Sequence, residues 1–396
     1  MNAEFFASNR ARLSTQCDGA IVLTAYVAVQ MTGDVAAPFR QEANFWYLTG
    51  IKEPGWQVII TPDKSWLVAP TISDAHRVFD GGLSPDEAQR ISGVDSVIDQ
   101  SEVKELLATL ATKYDTVYGL DRHPHDKYYG FERNPAPDTL WRQLKRQFKD
   151  VRDVRGDIVR LRAIKQQVEL DVMTKAINLT VEAFRNVKEQ LATYEYEYQI
   201  EADFTHIFRR VNARHAYEPI VASGVNACTL HYDKNEAGLK DSDLVLLDIG
   251  AQVEGYPADI TRTYSVGGRP STRQHAVHAA VRDAHTKIVE LLKPGVSFEQ
   301  YQKNVDEIMK SALRSLDLLR TTADYRRYFP HAISHGLGID VHDSLGGFET
   351  FHPGMVLTVE PGIYIPEEGI GVRLEDDIII TESGYVNTSD ALSLEL

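Results

Sequence analysis

Short apolar runs alternate with amphipathic stretches along the first 155 residues. Residues 20–23, 57–60 and 65–68 are apolar runs of strand length, and Thr61-Pro62-Asp63 supplies a turn between the last two. Residues 101–113 space their apolar positions as a helix does, with Ser101 as the expected N-cap. This alternation predicts an α/β domain. Past residue 166 the pattern changes. Two long helical periods cover 166–191 and 196–214. Strand-like runs then return at 244–249, 259–264, 355–359, 371–375 and 378–381, with helical periods at 272–292 and 298–316 among them. No solenoid repeat and no low-complexity tract interrupts the chain. The change predicts two domains, 1–158 and 159–396.

Between them lies a basic run. Residues 142–165 hold nine Lys or Arg against three Asp. Such a run reads as a solvated helix and connector at a domain boundary rather than as a nucleic-acid patch. The whole chain argues the same way: its formal charge is −15 over 396 residues, with a pI near 5.3. A surface of that sign repels nucleic acid and anionic membranes at long range. Two cysteines, Cys17 and Cys228, exclude a disulfide framework. Cys228 is expected to be a small buried residue rather than a reactive thiol. The first residues show no basic segment followed by an apolar one, and the most apolar stretch, 20–31, is too short to span a bilayer. The expectation is a soluble cytoplasmic protein with no nucleic-acid or membrane partner.

Chemistry concentrates in the second half. Asp248 ends an apolar strand, where carboxylates are depleted, and Asp259 begins the returning one. A turn centred on Val253-Glu254 places the two directly opposite, and one centred on Glu254-Gly255 makes them diagonal neighbours. Both registers put both carboxylates on one face. Two acids that close repel unless a cation holds them. Next, His331, His335 and His342 fall within twelve residues. His331 and His335 have the i, i+4 spacing of a helical zinc site, but Ala332 stands where such a site needs Glu. Gly336 and Gly338 also oppose a helix there. Glu360 closes an apolar run before Pro361-Gly362. Arg373 and Glu375, two apart on one predicted strand, share a face, so Arg373 can steady an acidic neighbour. Together Asp248, Asp259, His335, Glu360 and Glu375 offer four carboxylates and one imidazole. That set suits two divalent cations, with manganese favoured by the oxygen donors and cobalt or zinc as alternatives.

At these residues the chain resembles the metallopeptidases of pita-bread fold, which include aminopeptidase P, prolidase and methionine aminopeptidase. The resemblance implies that Asp248 and Asp259 bind metal with Asp259 bridging, that His335 and Glu360 complete one site, and that Glu375 is the second bridge. It further implies that Glu360 is the general base, that His331 and His342 contact the scissile peptide, and that His231 lies on the substrate side. Arg373 would orient an acidic ligand. Residues 39–50, from Phe39-Arg40-Gln41-Glu42 to Gly50, are similar to the N-terminal domain of aminopeptidase P, which methionine aminopeptidases lack. The implied fold is an α/β N-terminal domain with a mixed, creatinase-type sheet, followed by an α+β pita-bread catalytic domain. The implied activity is metal-dependent cleavage between an N-terminal residue and a following proline, by a homodimer. A prolidase that takes only dipeptides is the alternative, and a metal-free or non-catalytic member of the fold a more distant one. The loop after His342, residues 344–351, is compact, which bears on how long a peptide fits.

Overall fold

A computed structural model describes residues 1–122 and 130–396, which divide into two compact units, Met1–Leu161 and Arg162–Leu396. The first is built on a six-stranded mixed sheet. Strands β1 (Ala20–Thr24), β4 (Gln57–Ile60), β5 (Ser65–Ala69), β6 (Ser96–Asp99), β7 (Thr116–Gly119) and β8 (Asp150–Asp153) lie in the order β6-β5-β4-β1-β7-β8. β4 runs antiparallel to both its neighbours, and the remaining pairs are parallel. Val22, Ile59 and Val68 from the sheet share a core with Val103 and Leu107 of the helix Val103–Lys113, and with Leu140 and Leu144 of Ala136–Gln147. The first of these helices is not capped by Ser101. A 3-10 turn precedes it, and Asp99 accepts the Ser101 N–H at 2.9 Å, because the longer carboxylate reaches the turn's free donor. A short hairpin of β2 (Gln30–Thr32) and β3 (Val35–Ala36) is exposed.

The second unit has two halves of similar make, each a helix pair laid on antiparallel strands. In one half, Phe184 of the helix Gln167–Gln190 and Phe204 and Phe208 of Glu197–Arg210 pack on the sheet β10-β11-β14 (Ile220–Ser223, Leu244–Asp248, Thr261–Ser265). The small sheet β13-β12-β9 (Tyr256–Pro257, Ala251–Val253, Arg214–His215) extends it. In the other half, helices Thr272–Val289 and Phe298–Ser315 cover β15-β18-β19 (Val356–Val359, Asp376–Thr381, Gly384–Asn387) and the pair β16-β17 (Gly362–Ile365, Ile370–Arg373). The halves join where Thr261 bridges Glu375.

The basic run at 142–165 is only partly a solvated connector. Its last two cations, Arg162 and Lys165, are buried.

Candidate active site

The four proposed carboxylate ligands stand where strands end or break, and His335 lies in the irregular segment before β15. Asp248 is the last residue of β11. Asp259 falls between β13 and β14, Glu360 between β15 and β16, and Glu375 between β17 and β18. The regular ladders end or change partner at these points, so a side chain can turn toward a neighbouring sheet while its backbone stays paired, as Asp248 does with Ile220 and Thr261 and Glu375 with Thr261.

Two threonines organise the pairs. The hairpin turn centres on Glu254 and Gly255, with φ of 49° and 98°. Positive φ at both positions is the turn that matches strand twist. It sets Asp248 opposite Thr261, leaving Asp259 two residues away as a diagonal neighbour. Of the two registers open from sequence, this is the second. Gly250 makes it feasible, since a Cβ there would lie 1.8 Å from the Ala258 carbonyl oxygen. On the other half, Glu360 N–H donates to Ile333 O and Thr358 N–H to His335 O, so His335 lies opposite Thr358 with Glu360 two residues away. Thr261 Oγ1 donates to Glu375 Oε2 at 2.5 Å, and Thr358 Oγ1 to Glu360 Oε1 at 3.2 Å.

The result is a tight acidic cluster. One donor atom each from Asp259, His335 and Glu375 lies within 4.8 Å of the others. His335 Nε2 is 3.4 Å from Asp259 Oδ2 and 3.5 Å from Glu360 Oε1. Burial raises the pKa of Asp248, with Arg373 opposing and Asp259 adding. Burial pushes Glu360 up to about 7 against the pull of His335 and Arg373, and it lifts Glu375 well above the usual range, helped by Asp259 and Glu360. For His335 burial works downward, but Asp259 and Glu360 win and raise it to about 9. Carboxylates pushed toward their neutral forms by burial and by one another are a donor set that bound cations would relieve, and four carboxylates with one imidazole fit hard or borderline divalent metals.

Around this cluster the predicted partners take their places. Arg373 Nη2 meets Asp248 Oδ2 at 2.5 Å, while its Nε is 4.0 Å from Glu375. Its tight acidic neighbour is thus Asp248 from another strand rather than Glu375 on its own chain segment, because β17 ends at Arg373. His331 Nε2 lies 2.9 Å from Tyr364 Oη, and its Nδ1 lies 3.5 Å from Glu360 Oε2. Burial, with the charge of Arg373, lowers His331 to about 4, so the ring is neutral near pH 7. The His342 ring sits 4.4 Å from that of His335. No helix runs through His331 and His335. Asp248, Asp259, His231 and His342 line a cavity of about 320 Å³ with Tyr217, Glu218, Ile220, Asp233 and Val341.

Three contributors escaped the sequence. Tyr217 Oη is 2.7 Å from Oδ1 of both Asp248 and Asp259, so one hydroxyl serves the pair. Tyr364 Oη accepts from Arg373 Nη1 at 2.9 Å. Its signal was available, since Glu360, Gly362 and Tyr364 alternate along one face. Asp377 Oδ2 accepts the Asp259 N–H at 3.1 Å, and burial with the Asp259 charge raises its pKa well above normal. Cys228, half-buried, is raised to about 11 by burial and is a thiol rather than a thiolate at neutral pH.

Comparison with known proteins adds an independent line. Residues 171–382 match the profile of metallopeptidase family M24, and residues 6–118 that of the aminopeptidase P N-terminal domain. The chain is 34% identical to the Xaa-Pro aminopeptidase of Escherichia coli K12, over 94% of this chain and 90% of that protein. It is 34% identical to the Xaa-Pro aminopeptidase of Haemophilus influenzae, over 99% and 95% respectively. Aminopeptidase P from E. coli, in its low-pH form, superposes with a TM-score of 0.86 at 32% identity, over 99% of this chain and 96% of that one.

Proposed function

This chain belongs to metallopeptidase family M24, and from that premise we propose that it is an Xaa-Pro aminopeptidase, cleaving the bond between an N-terminal residue and a following proline. The observation that carries the reading is the convergence of Asp248, Asp259, Glu360 and Glu375 from separate strand ends, with His335 from a loop, onto one largely buried cluster beside an open cavity.

These five residues would hold two divalent cations, and their mostly oxygen donors would favour manganese over cobalt or zinc. When bound, the cations supply a water activated near neutral pH and polarise the scissile carbonyl. Glu360 takes the proton of the attacking water on its carboxylate. His331 and His342 would bind the peptide and stabilise the oxyanion; loss of one donor to an oxyanion typically costs about 2.7–4 kcal/mol of barrier. Arg373 holds Asp248 in place through its guanidinium. His231 shapes the proline side of the cavity wall.

The dipeptidase alternative requires a cation to hold the free carboxylate of a dipeptide. Among the described residues no Lys or Arg lines the cavity, and Arg373 is occupied by Asp248, Tyr364 and Thr261. The aminopeptidase reading is favoured. It is tested by comparing an Xaa-Pro dipeptide with an Xaa-Pro-Xaa tripeptide across manganese, cobalt and zinc. Faster tripeptide turnover is expected; turnover of the dipeptide alone would reassign the enzyme as a prolidase. Chelation is expected to abolish activity and a divalent metal to restore it; activity persisting after verified metal removal would sink the mechanism. Asp259→Asn is expected to fold with wild-type circular dichroism yet show no turnover with added manganese.

A homodimer is the expected assembly. Val78 and Phe79 on the helix Asp74–Asp80 are 81% and 85% exposed, apolar surface that a second copy would cover. Sedimentation equilibrium at the mass of two chains is the expected result. Both cysteines are free, in keeping with a reducing compartment such as the cytoplasm.

A further inference from the structure

The buried end of the basic run grips the loop that carries His342. Arg162 is 3% exposed, and its Nη2 donates to Asp340 Oδ2 at 2.7 Å and to Asp343 Oδ1 at 2.9 Å. Those two carboxylates flank Val341 and His342, which both line the cavity. One guanidinium nitrogen therefore ties together both ends of the short segment that presents the imidazole. Asp343 is held from further directions as well. Its N–H donates to Gly336 O at 2.8 Å, and its Oδ1 accepts the Ser344 N–H at 2.7 Å. Its Oδ2 lies so close over Gly338 that a Cβ there would come within 2.0 Å. Arg162 itself does not line the cavity. The Arg162–Asp343 pair is a poor device for stability alone, because desolvating two charges offsets most of their attraction. What such a clamp does well is fix geometry.

We propose that Arg162 is a positioning residue for the hydrolysis, clamping Asp340 and Asp343 so that the His342 imidazole stands where the scissile peptide binds. The proposal rests on the reading of His342 as a peptide-contacting group. A catalytic group misplaced by about 1 Å can cost on the order of 10²-fold in rate.

The test is a double-mutant cycle on the metal-loaded enzyme with an Xaa-Pro-Xaa tripeptide, using Arg162→Gln, His342→Ala and the double variant. Arg162→Gln should keep wild-type metal content and lower kcat about tenfold or more, with KM held within about twofold. In the His342→Ala background the same change should alter kcat by less than about twofold, since coupled residues do not add. Arg162→Lys, which keeps the charge, should recover part of kcat. Asp340→Asn removes only the outer arm, on a side chain 56% exposed, so it tests the clamp in a folded protein even where Arg162→Gln does not fold. It should give a smaller kcat loss that also vanishes without His342. Equal losses in both backgrounds, or a loss that tracks missing metal, overturn the proposal. If His342→Ala is unimpaired while the wild type cleaves Xaa-Pro peptides, the clamp fails and the aminopeptidase function stands. If no form cleaves them, the functional reading itself has failed.

Discussion

At the scale of single residues, the site is a problem of charge kept out of water. Asp248 is buried, and Arg373, 6% exposed at its side chain, is the cation that makes its burial tolerable. Arg373→Met would leave that carboxylate without its partner. Breaking one side of a buried pair costs about 3–5 kcal/mol, because the remaining charge stays desolvated. Urea unfolding of the chelated protein should report a loss of that order, and an unchanged midpoint would show that Asp248 is held by Tyr217 instead. The acids were legible in the chain because a carboxylate closing an apolar strand is conspicuous. Tyr217 was not, since a tyrosine before a strand is ordinary and only the fold brings its hydroxyl to 2.7 Å from two carboxylates.

At the scale of elements, register does the positioning. The period of two along a strand already placed Asp248 and Asp259 on one face, whichever turn joined their strands. The choice between opposite and diagonal came from the turn, where Glu254 and Gly255 both take positive φ. Two substitutions separate local strain from register. Gly255→Ala places an L side chain at φ 98° and should cost about 1–3 kcal/mol of stability while metal content stays near wild type. Gly250→Ala puts a Cβ into the Ala258 carbonyl, so the hairpin must open beside Asp259. Elemental analysis after dialysis should show metal lost from Gly250→Ala and kept by Gly255→Ala. Equal retention in both would mean that the pairing beside Gly250 does not hold the site. Arg162 belongs to this scale too. A charge run is usually a solvated face, and nothing in the sequence near residue 162 points to a loop 178 positions away.

At the scale of the whole molecule, the formal charge of −15 is partly gathered into one place. Without metal, that gathering makes stability depend on pH, with a sign that can be worked out. His335, raised to about 9 in the folded state from its ordinary 6.5, contributes stability that is complete below pH 6.5 and is lost as pH climbs through 9. Glu375 and Asp377, raised well above their unfolded values, are lost in the same direction. Below pH 6.5 the half-buried His331, lowered to about 4, pulls the other way. The clean window is therefore pH 6.5–9, across which the chelated protein should unfold at steadily lower denaturant. Added manganese should flatten or reverse that trend, since metal binding favours deprotonated ligands. A chelated protein equally stable at both ends of the window would mean that the cluster is not strained when empty. The sequence by itself determined the class of each half, the carboxylate-rich donor types gathered in the cluster and the face on which neighbouring acids stand. These follow from local periods and from the cost of a carboxylate in an apolar run. Only the tertiary structure decided that Thr261 would meet Glu375, that Arg373 would serve Asp248 from another strand, and that Arg162 would hold the His342 loop. Those contacts join residues 114 to 181 positions apart in the chain, and no local pattern records which distant partner a buried charge will find.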